Sequence, residues 1–334
     1  MDQPHHPARQ KSSNWLARKF QKESRSLMSH LLKLLDDSNE RIFTSEFPTI
    51  DGAGMPRVIA LAQRLEPWFD AVNATDNPAA HAHASNISVA IAMKAHGLEP
   101  ILQIACRDKN RLAIQADMMG ASLHGIENLS LMTGDDVTAG DEPETKRVFD
   151  LDSAQAISIA NSLNGGKYLS GRPIKPPTNF FIGAVENAAA PPLEYRVQRA
   201  IKKHRAGARF LQLQICYHPD RLENFCRDLA SIAPRFHLLP TIVLLKGARQ
   251  LHFMNDKVAG INVPLDIISQ VESSSDPSEA AYQLALEQAL HALTLPGVRG
   301  LHIADFRHDE TLARLMNDLG RSPRKISNQL QDQL

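Results

Sequence analysis

Short apolar runs alternate with segments of helical periodicity along most of the chain. The runs are rich in leucine, β-branched and aromatic residues, and polar or turn-forming residues bound them, as is typical of buried strands. We predict eight strands, at Arg41–Phe47, Trp68–Asn73, Ile101–Ala105, Asn128–Met132, Asn179–Ala184, Arg209–Ile215, His237–Leu244 and Gly300–Ala304.

The segments between these runs have the apolar spacing of helices. Over much of the chain the strands begin about thirty residues apart, which leaves room for one helix and two loops. This alternation predicts parallel strands with right-handed crossovers, and eight repeats favour a closed (β/α)8 TIM barrel over an open sheet. The longest intervals, Thr133–Thr178 and Leu245–Arg299, are expected to hold additional helices. The predicted helices are Pro56–Leu65, His83–His96, Asn110–Met119, Ser153–Leu163, Leu193–Ala206, Pro219–Ala230 and Ser278–Leu293.

The barrel is expected to span residues 41–320, with an extension at each end. Within residues 1–40, the segment Trp15–Leu35 has apolar residues near helical spacing. It predicts an amphipathic helix that caps the bottom of the barrel or contacts another subunit. Basic residues in and before this segment leave a membrane-surface helix as an alternative, although acidic residues follow directly. Residues 321–334 are predicted to form a tail.

Composition excludes several classes of protein. The chain has 334 residues, of which 43% are hydrophobic, and its 37 basic residues balance 37 acidic ones. A core can form, and a formal charge of zero argues against nucleic acid or anionic lipid as a partner. Three widely spaced cysteines, no secretory signal and no apolar stretch of about eighteen residues predict a soluble, cytoplasmic protein. We therefore expect a small-molecule ligand, with neither nucleic acid nor membrane as a partner.

Two acidic residues stand where predicted strands end, which is where barrels of this type place their chemistry. Glu46 ends the first strand among apolar neighbours, where desolvation would raise its pKa and suit it to act as a general acid; an ion pair is the alternative. Asp135 follows the fourth strand and would bring a second carboxylate to the same mouth. The preceding Gly134 would let the backbone approach a planar ligand, unless the pair is only a turn.

Three glutamines lie on predicted strands. Gln212 and Gln214 are two residues apart and therefore share a face of the sixth strand, and Gln103 lies on the third. Inward amides suit the recognition of a heterocycle with donors and acceptors, but they could equally satisfy one another in the core.

Five motifs occur in the order and spacing of methylenetetrahydrofolate reductases, and the chain resembles that family from about Arg41 to Leu319. The Cys-Arg-Asp-x-Asn-Arg and Thr-Gly-Asp motifs are most similar to the short bacterial enzymes and reductase-like proteins. The five motifs are Ser45–Pro48, Asn73–Pro78, Gln103–Arg111, Leu131–Asp135 and Phe210–Gln214.

The resemblance implies a flavoprotein in which NADH or NADPH reduces FAD, and the flavin then reduces 5,10-methylenetetrahydrofolate to 5-methyltetrahydrofolate. By motif, Glu46 aligns with the acid that opens the imidazolidine ring to an iminium cation. Asp135 aligns with the carboxylate that stabilises this cation, and Gln214 with the amide that contacts the pterin. Gln103 and Gln212 are further candidates for the folate site, and Thr75, Thr133, Gly134 and Asp135 are candidates for the flavin site.

A basic stripe adds to the cofactor prediction. Arg196, Arg199 and Lys203 share one face of a predicted helix, and the resemblance aligns Lys203 with a lysine near the FAD diphosphate. A solvated stripe is the alternative explanation.

The chain departs from the family pattern at positions that bear on the flavin. It has Gln103 where many members have His, Thr133 where they have Arg, and Glu186–Ala190 in place of aromatic and His positions. FAD is therefore held by a different set of residues or is lost. A flavin-free folate-binding or partner protein stays open, as do the oxidative direction in a demethylation pathway, a partner flavoprotein as donor, and a homo-oligomer. His81 and His83 lack a third ligand, so no metal site is predicted.

Overall fold

The computed structural model describes residues 29–37, 40–52 and 54–325. Eight parallel strands form a closed barrel in which β8 pairs with β1, and this confirms the predicted (β/α)8 TIM barrel. The strands are β1 (Ile42–Glu46), β2 (Ala71–Ala74), β3 (Pro100–Ala105), β4 (Asn128–Met132), β5 (Phe181–Glu186), β6 (Phe210–Leu213), β7 (His237–Leu244) and β8 (Gly300–Asp305).

Helices surround the barrel and pack one face against it. None of those in the described part of the chain has the length and apolar character needed to cross a bilayer. They are α1 (His30–Asp37), α2 (Met55–Leu65), α3 (Asn86–Ala95), α4 (Arg111–Leu123), α5 (Ser153–Asn164), α6 (Leu193–Ala206), α7 (Pro219–Ile232), α8 (Ala248–Lys257), α9 (Leu265–Glu272), α10 (Pro277–Ala292) and α11 (Thr311–Asp318).

Local sequence explains where these helices begin and which face they bury. At the start of α4, the Asn110 side chain accepts hydrogen bonds from the backbone N–H groups of Leu112 and Ala113, both at 3.0 Å. The helix then buries Ile114 and Met118, four residues apart and hence on one face. The other helices around the barrel also bury apolar residues against the strands, and together these residues form a continuous apolar core.

The bottom of the barrel, at the N-terminal ends of the strands, is closed by apolar side chains. From α1, Leu31 and Leu35 pack into this layer, so the described part of the predicted amphipathic helix caps the barrel bottom; residues 15–28 of that prediction lie outside the described residues. Gly183 has no side chain because a Cβ there would lie about 2.1 Å from the Phe210 ring. The strand residues of the layer are Ile42, Ala71, Ile101, Phe181, Phe210 and Leu239.

The chain end that follows α11 is attached to the same bottom. Arg321 and Arg324 donate to Asp70 Oδ1 at 2.6 and 2.9 Å, and the Phe43 backbone N–H donates to Asp70 Oδ2 at 2.8 Å. Of the predicted tail 321–334, residues 321–325 therefore lie against the barrel, and the others lie outside the described residues.

Candidate functional site

A cavity of about 910 Å³ opens at the C-terminal ends of the strands. All of the site residues predicted from the sequence line it, although they come from five of the eight strands or the connections that follow them and from α6. The barrel therefore brings together residues up to 168 positions apart, from Glu46 to Gln214. The lining includes Glu46, Thr75, Gln103, Thr133, Gly134, Asp135, Arg196, Arg199, Lys203, Gln212 and Gln214.

Glu46 lies at the end of β1 with 41% of its side chain exposed, so it is less desolvated than its apolar sequence neighbours led us to expect. It faces His302 on β8, whose Nε2 is 3.7 Å from Glu46 Oε1. His302 is buried, and its Nδ1 lies 2.9 Å from Thr44 Oγ1 and 3.2 Å from Gln212 Nε2. Because the Gln212 amide donates to Nδ1, the ring proton belongs on Nε2, which faces Glu46.

The three glutamines differ in their bonding. Gln212 is buried and exchanges hydrogen bonds with Asn73 at 3.1 and 3.2 Å, while Ser130 Oγ donates to its Oε1 at 3.3 Å. Gln214 follows the end of β6, and its Oε1 accepts from the backbone N–H of Ile215 at 3.1 Å. Gln103 is only 7% exposed, yet its side-chain amide has no hydrogen bond to any described residue. The expected mutual satisfaction of amides therefore applies to Gln212, whereas Gln103 is available to a ligand.

The loop after β4 presents Asp135 to the cavity. Asp135 is exposed and forms no hydrogen bond or ion pair with another described residue, whereas its neighbour Asp136 is paired with Arg147 at 2.6 Å. That ion pair holds the pKa of Asp136 well below its usual range. The loop therefore has one carboxylate engaged with the protein and one open to a ligand.

Gly134 is constrained by packing as well as by its place at the cavity. Its φ is +93°, which favours glycine, and a Cβ there would lie 3.1 Å from Arg107 Cβ and 3.3 Å from Ala105 Cβ. The end of β3 therefore favours a small residue here, and close approach of a planar ligand stays a prediction. Thr133 Oγ1 accepts from the Ser153 backbone N–H at 3.2 Å and thereby joins this loop to the start of α5.

The basic stripe of α6 surrounds a single carboxylate, Glu186, at the end of β5. Lys203 Nζ, Arg199 Nε and Arg196 Nη1 lie 2.9, 3.4 and 3.6 Å from its oxygens. Lys203 is buried, and this burial lowers its pKa although the charge of Glu186 opposes the shift. A solvated stripe does not describe this cluster. Three cations against one carboxylate leave a net charge of +2 with Lys203 protonated, which fits a diphosphate.

Comparison with known proteins identifies the family. The family model of methylenetetrahydrofolate reductase matches residues 31–320. The chain belongs to the methylenetetrahydrofolate reductase family. No similar sequence was found among the curated proteins.

Solved structures are similar to this methylenetetrahydrofolate reductase family member at low sequence identity. A Clostridium thermocellum protein that binds two copies of 5-methyl-5,6,7,8-tetrahydrofolic acid is 13% identical, with a TM-score of 0.60 over 87% of this chain and 97% of that chain. Two others have a TM-score of 0.46. They are 2,3-dimethylmalate lyase, 16% identical over 86% and 84% of the two chains, and oxaloacetate acetylhydrolase, 14% identical over 91% of each.

The family motif after β3 supports the site from behind. Lys109 Nζ pairs with Asp76 at 2.8 Å and with Asp117 at 3.0 Å, and the Ala105 backbone N–H also donates to Asp76 at 2.9 Å. Burial raises the pKa of Asp76 despite the charge of Lys109. Arg107 binds Asp108 and the Asn77 carbonyl. These residues hold the Thr75 loop in place, so much of the motif builds the cavity wall.

Sequence reasoning missed several lining residues of this methylenetetrahydrofolate reductase family barrel. Glu186 and His302 are polar residues in largely apolar strands, and that interruption is the signal that could have identified them. Phe253 and Phe306 line the cavity while largely exposed, and they follow strands whose ends had no recognised motif. Among the described residues, no group of three His, Cys, Asp or Glu side chains is arranged to hold a metal ion.

Proposed function

We propose that this chain is a folate-binding oxidoreductase that interconverts 5,10-methylenetetrahydrofolate and 5-methyltetrahydrofolate, with FAD as hydride carrier and a nicotinamide as donor. The observation that carries the proposal is the convergence of Glu46, Asp135 and Gln214 on one cavity of a family barrel. The fold neighbour from Clostridium thermocellum that binds methyltetrahydrofolate supports a folate ligand. The cavity has a volume of about 910 Å³, a buried floor and an open mouth, and it can therefore accept a ligand as large as a folate.

Glu46 acts as the general acid. Opening the imidazolidine ring of the substrate requires a proton on the departing nitrogen, and Glu46 is the carboxyl group at the end of β1 that can reach a ligand in the mouth. The Nε2 proton of His302, 3.7 Å away, faces the carboxylate that remains after this transfer and stabilises it. In the opposite direction the same carboxylate takes up the proton.

Asp135 and the amides orient and stabilise the pterin. The ring-opened substrate carries positive charge, and the carboxylate of Asp135, which forms no ion pair with another described residue, stabilises it electrostatically. Gln103 and Gln214 present amide donors and acceptors to the heterocycle. The two carboxyl groups can thus have separate roles in different surroundings: Glu46 donates a proton, and Asp135 stabilises positive charge.

FAD, when bound, supplies hydride transfer between the nicotinamide and the folate. Lys203, Arg199 and Arg196 would hold its diphosphate, and Thr75, Thr133 and Gly134 would border its ring system. A flavin-free folate-binding protein is the second candidate function, favoured by the contact of Glu186 with all three cations.

The test uses the full chain incubated with FAD and freed of excess flavin. We expect methyltetrahydrofolate to bleach the flavin absorbance, and Glu46→Gln and Asp135→Asn each to slow this reduction by about a hundredfold or more. Glu287→Gln, on the exposed face of α10, is the matched control and should leave the rate unchanged. Rates equal to wild type in both site variants would contradict the assigned roles. Folate binding without any flavin absorbance would favour the second candidate function.

A further inference from the structure

Glu186 is nearly inaccessible to solvent, with 1% of its side chain exposed, and its carboxylate is fully engaged. Oε1 accepts from the Asn187 backbone N–H at 3.0 Å and lies 3.6 Å from Arg196 Nη1. Oε2 accepts from Lys203 Nζ at 2.9 Å and lies 3.4 Å from Arg199 Nε. One anion of the protein therefore holds the same cations that a diphosphate would need.

We propose that Glu186 is an internal counter-anion that competes with a diphosphate for Arg196, Arg199 and Lys203, and that it thereby sets the affinity of this site for a dinucleotide. The inference rests on the proposed function only in placing a dinucleotide at this cluster. Glu186 is in this sense a residue that determines cofactor affinity, and it takes no part in the reaction itself.

Competition follows from how the donors are already used. Lys203 Nζ donates to Glu186 at 2.9 Å and to the Val185 carbonyl at 2.5 Å. Arg196 donates from Nε and Nη2 to the carbonyls of Ala190 and Pro191, at 2.7 and 2.9 Å. A phosphate that approached these groups would find two donors of Lys203 and two of Arg196 already used, and the remaining N–H groups next to the Glu186 carboxylate.

The negative charge of Glu186 also opposes the binding of a diphosphate. A diphosphate at the cluster would lie next to the carboxylate, and two anions in a partly buried site repel each other strongly because little water screens them. Without the carboxylate, and with Lys203 protonated, the three cations would offer a charge of +3 and the donors that now face Glu186 to the phosphates. The present cluster binds a diphosphate more weakly than its number of cations suggests.

A different role would predict the opposite behaviour. If Glu186 served only to hold Lys203 and the two arginines in position for a phosphate, its removal would misplace them and weaken binding. The two roles can therefore be separated by the sign of the change in affinity.

The experiment is calorimetric titration of the full-length protein with ADP, FAD and riboflavin. ADP carries the diphosphate without the flavin ring, and riboflavin carries the ring without phosphate.

We expect Glu186→Gln to bind ADP and FAD about tenfold more tightly than wild type, and riboflavin equally well. Glu186→Asp keeps the charge, and Glu194→Gln removes an exposed charge from α6, the helix that carries the three cations. Both variants should therefore stay within about twofold of the wild-type affinity. An ADP affinity that is unchanged or weaker in Glu186→Gln would overturn the proposal.

Loss of the carboxylate leaves Lys203 buried without its partner, and this could prevent folding. The double variant Glu186→Gln with Lys203→Met removes the pair together and avoids the unpaired charge. We expect it to bind ADP at least as tightly as wild type although it has lost a cation, and weaker binding would contradict competition. Methyltetrahydrofolate is titrated on the same samples, so that failure to bind folate, which bears on the proposed function, is distinguishable from the ADP result.

Discussion

The two ends of the barrel use the same kinds of polar residue, but these residues differ in whether the protein satisfies them. At the bottom, Asp70 is 4% exposed and accepts hydrogen bonds from Arg321, Arg324 and the Phe43 backbone. At the mouth, the side-chain amide of Gln103 makes no hydrogen bond, and Asp135 makes no ion pair, with any described residue. Both residues line the cavity and are therefore available to a ligand, at the end where barrels of this type place their chemistry.

This difference also separates stability from function within one fold. The bottom joins both described chain ends to the strands, through Leu31 and Leu35 of α1 and through Arg321 and Arg324. The mouth carries its polar groups on connections that the barrel beneath them supports. Substitutions at the bottom should therefore change unfolding, and substitutions at the mouth should change binding.

The largest effect on stability is expected for Asp70→Asn at the bottom. The substitution removes a buried carboxylate, so that Arg321 is left without its counter-charge and the contact with Arg324 is weakened. We expect the free energy of unfolding to fall by about 2–4 kcal/mol, measured by urea denaturation. Affinity for methyltetrahydrofolate should be unchanged, and the exposed Asp141→Asn is the matched control. A variant as stable as wild type, or one that loses folate affinity while folded, would remove the distinction between the ends.

The barrel itself was predictable from the sequence because each strand is a short apolar run. All eight predicted strands exist, and β4 and β7 have the predicted bounds. The second was placed at Trp68–Asn73 but runs over Ala71–Ala74, because Trp68 and Phe69 are apolar residues of a turn whose N–H groups bond back to Leu65. Apolar character alone does not distinguish a strand from a packed turn.

Part of the cavity lining was predictable, but the bonding of its residues was not. Motifs placed Glu46, Asp135 and Gln214 at strand ends, and the structure brings them to one cavity. Pairing across the barrel, such as Gln212 with Asn73 or Glu186 with Lys203, depends on the three-dimensional arrangement of residues far apart in sequence. For that reason a stripe of cations predicted a phosphate site without revealing the carboxylate within it.

Gln103→Leu tests the mouth, with Gln212→Leu as a matched control in the same barrel. The Gln103 side chain makes no hydrogen bond to a described residue, so its replacement should leave the free energy of unfolding within about 1 kcal/mol and weaken methyltetrahydrofolate or FAD binding about tenfold. Gln212→Leu instead leaves Asn73 and Ser130 without hydrogen bonds and should destabilise the protein by about 1–3 kcal/mol. Calorimetric titration and urea denaturation of both variants make the comparison. Unchanged affinity for both ligands in Gln103→Leu would exclude it from the binding site.

The smallest effect is expected for His237→Gln, which probes the pH dependence of the bottom. His237 is largely buried, and its Nε2 lies 2.8 Å from Asp36 Oδ1. Burial lowers its pKa, and this outweighs the opposing charge of Asp36. The unfolded chain, with a pKa of about 6.5, therefore takes up a proton before the native protein does as the pH falls. Stability is full above that pKa and is lost below it, by at most about 1.4 kcal/mol per pH unit.

We expect His237→Gln to lose this part of the pH dependence, since glutamine can donate to Asp36 at every pH. Urea denaturation between about pH 7.5 and about pH 5 should give a shallower profile than wild type, whereas the exposed His124→Gln should follow wild type. Folate affinity at neutral pH should be the same in all three proteins, because the pair lies at the end of the barrel opposite the cavity. Parallel profiles for wild type and His237→Gln would show that the native protein protonates this histidine as readily as the unfolded chain does, against the effect of its burial.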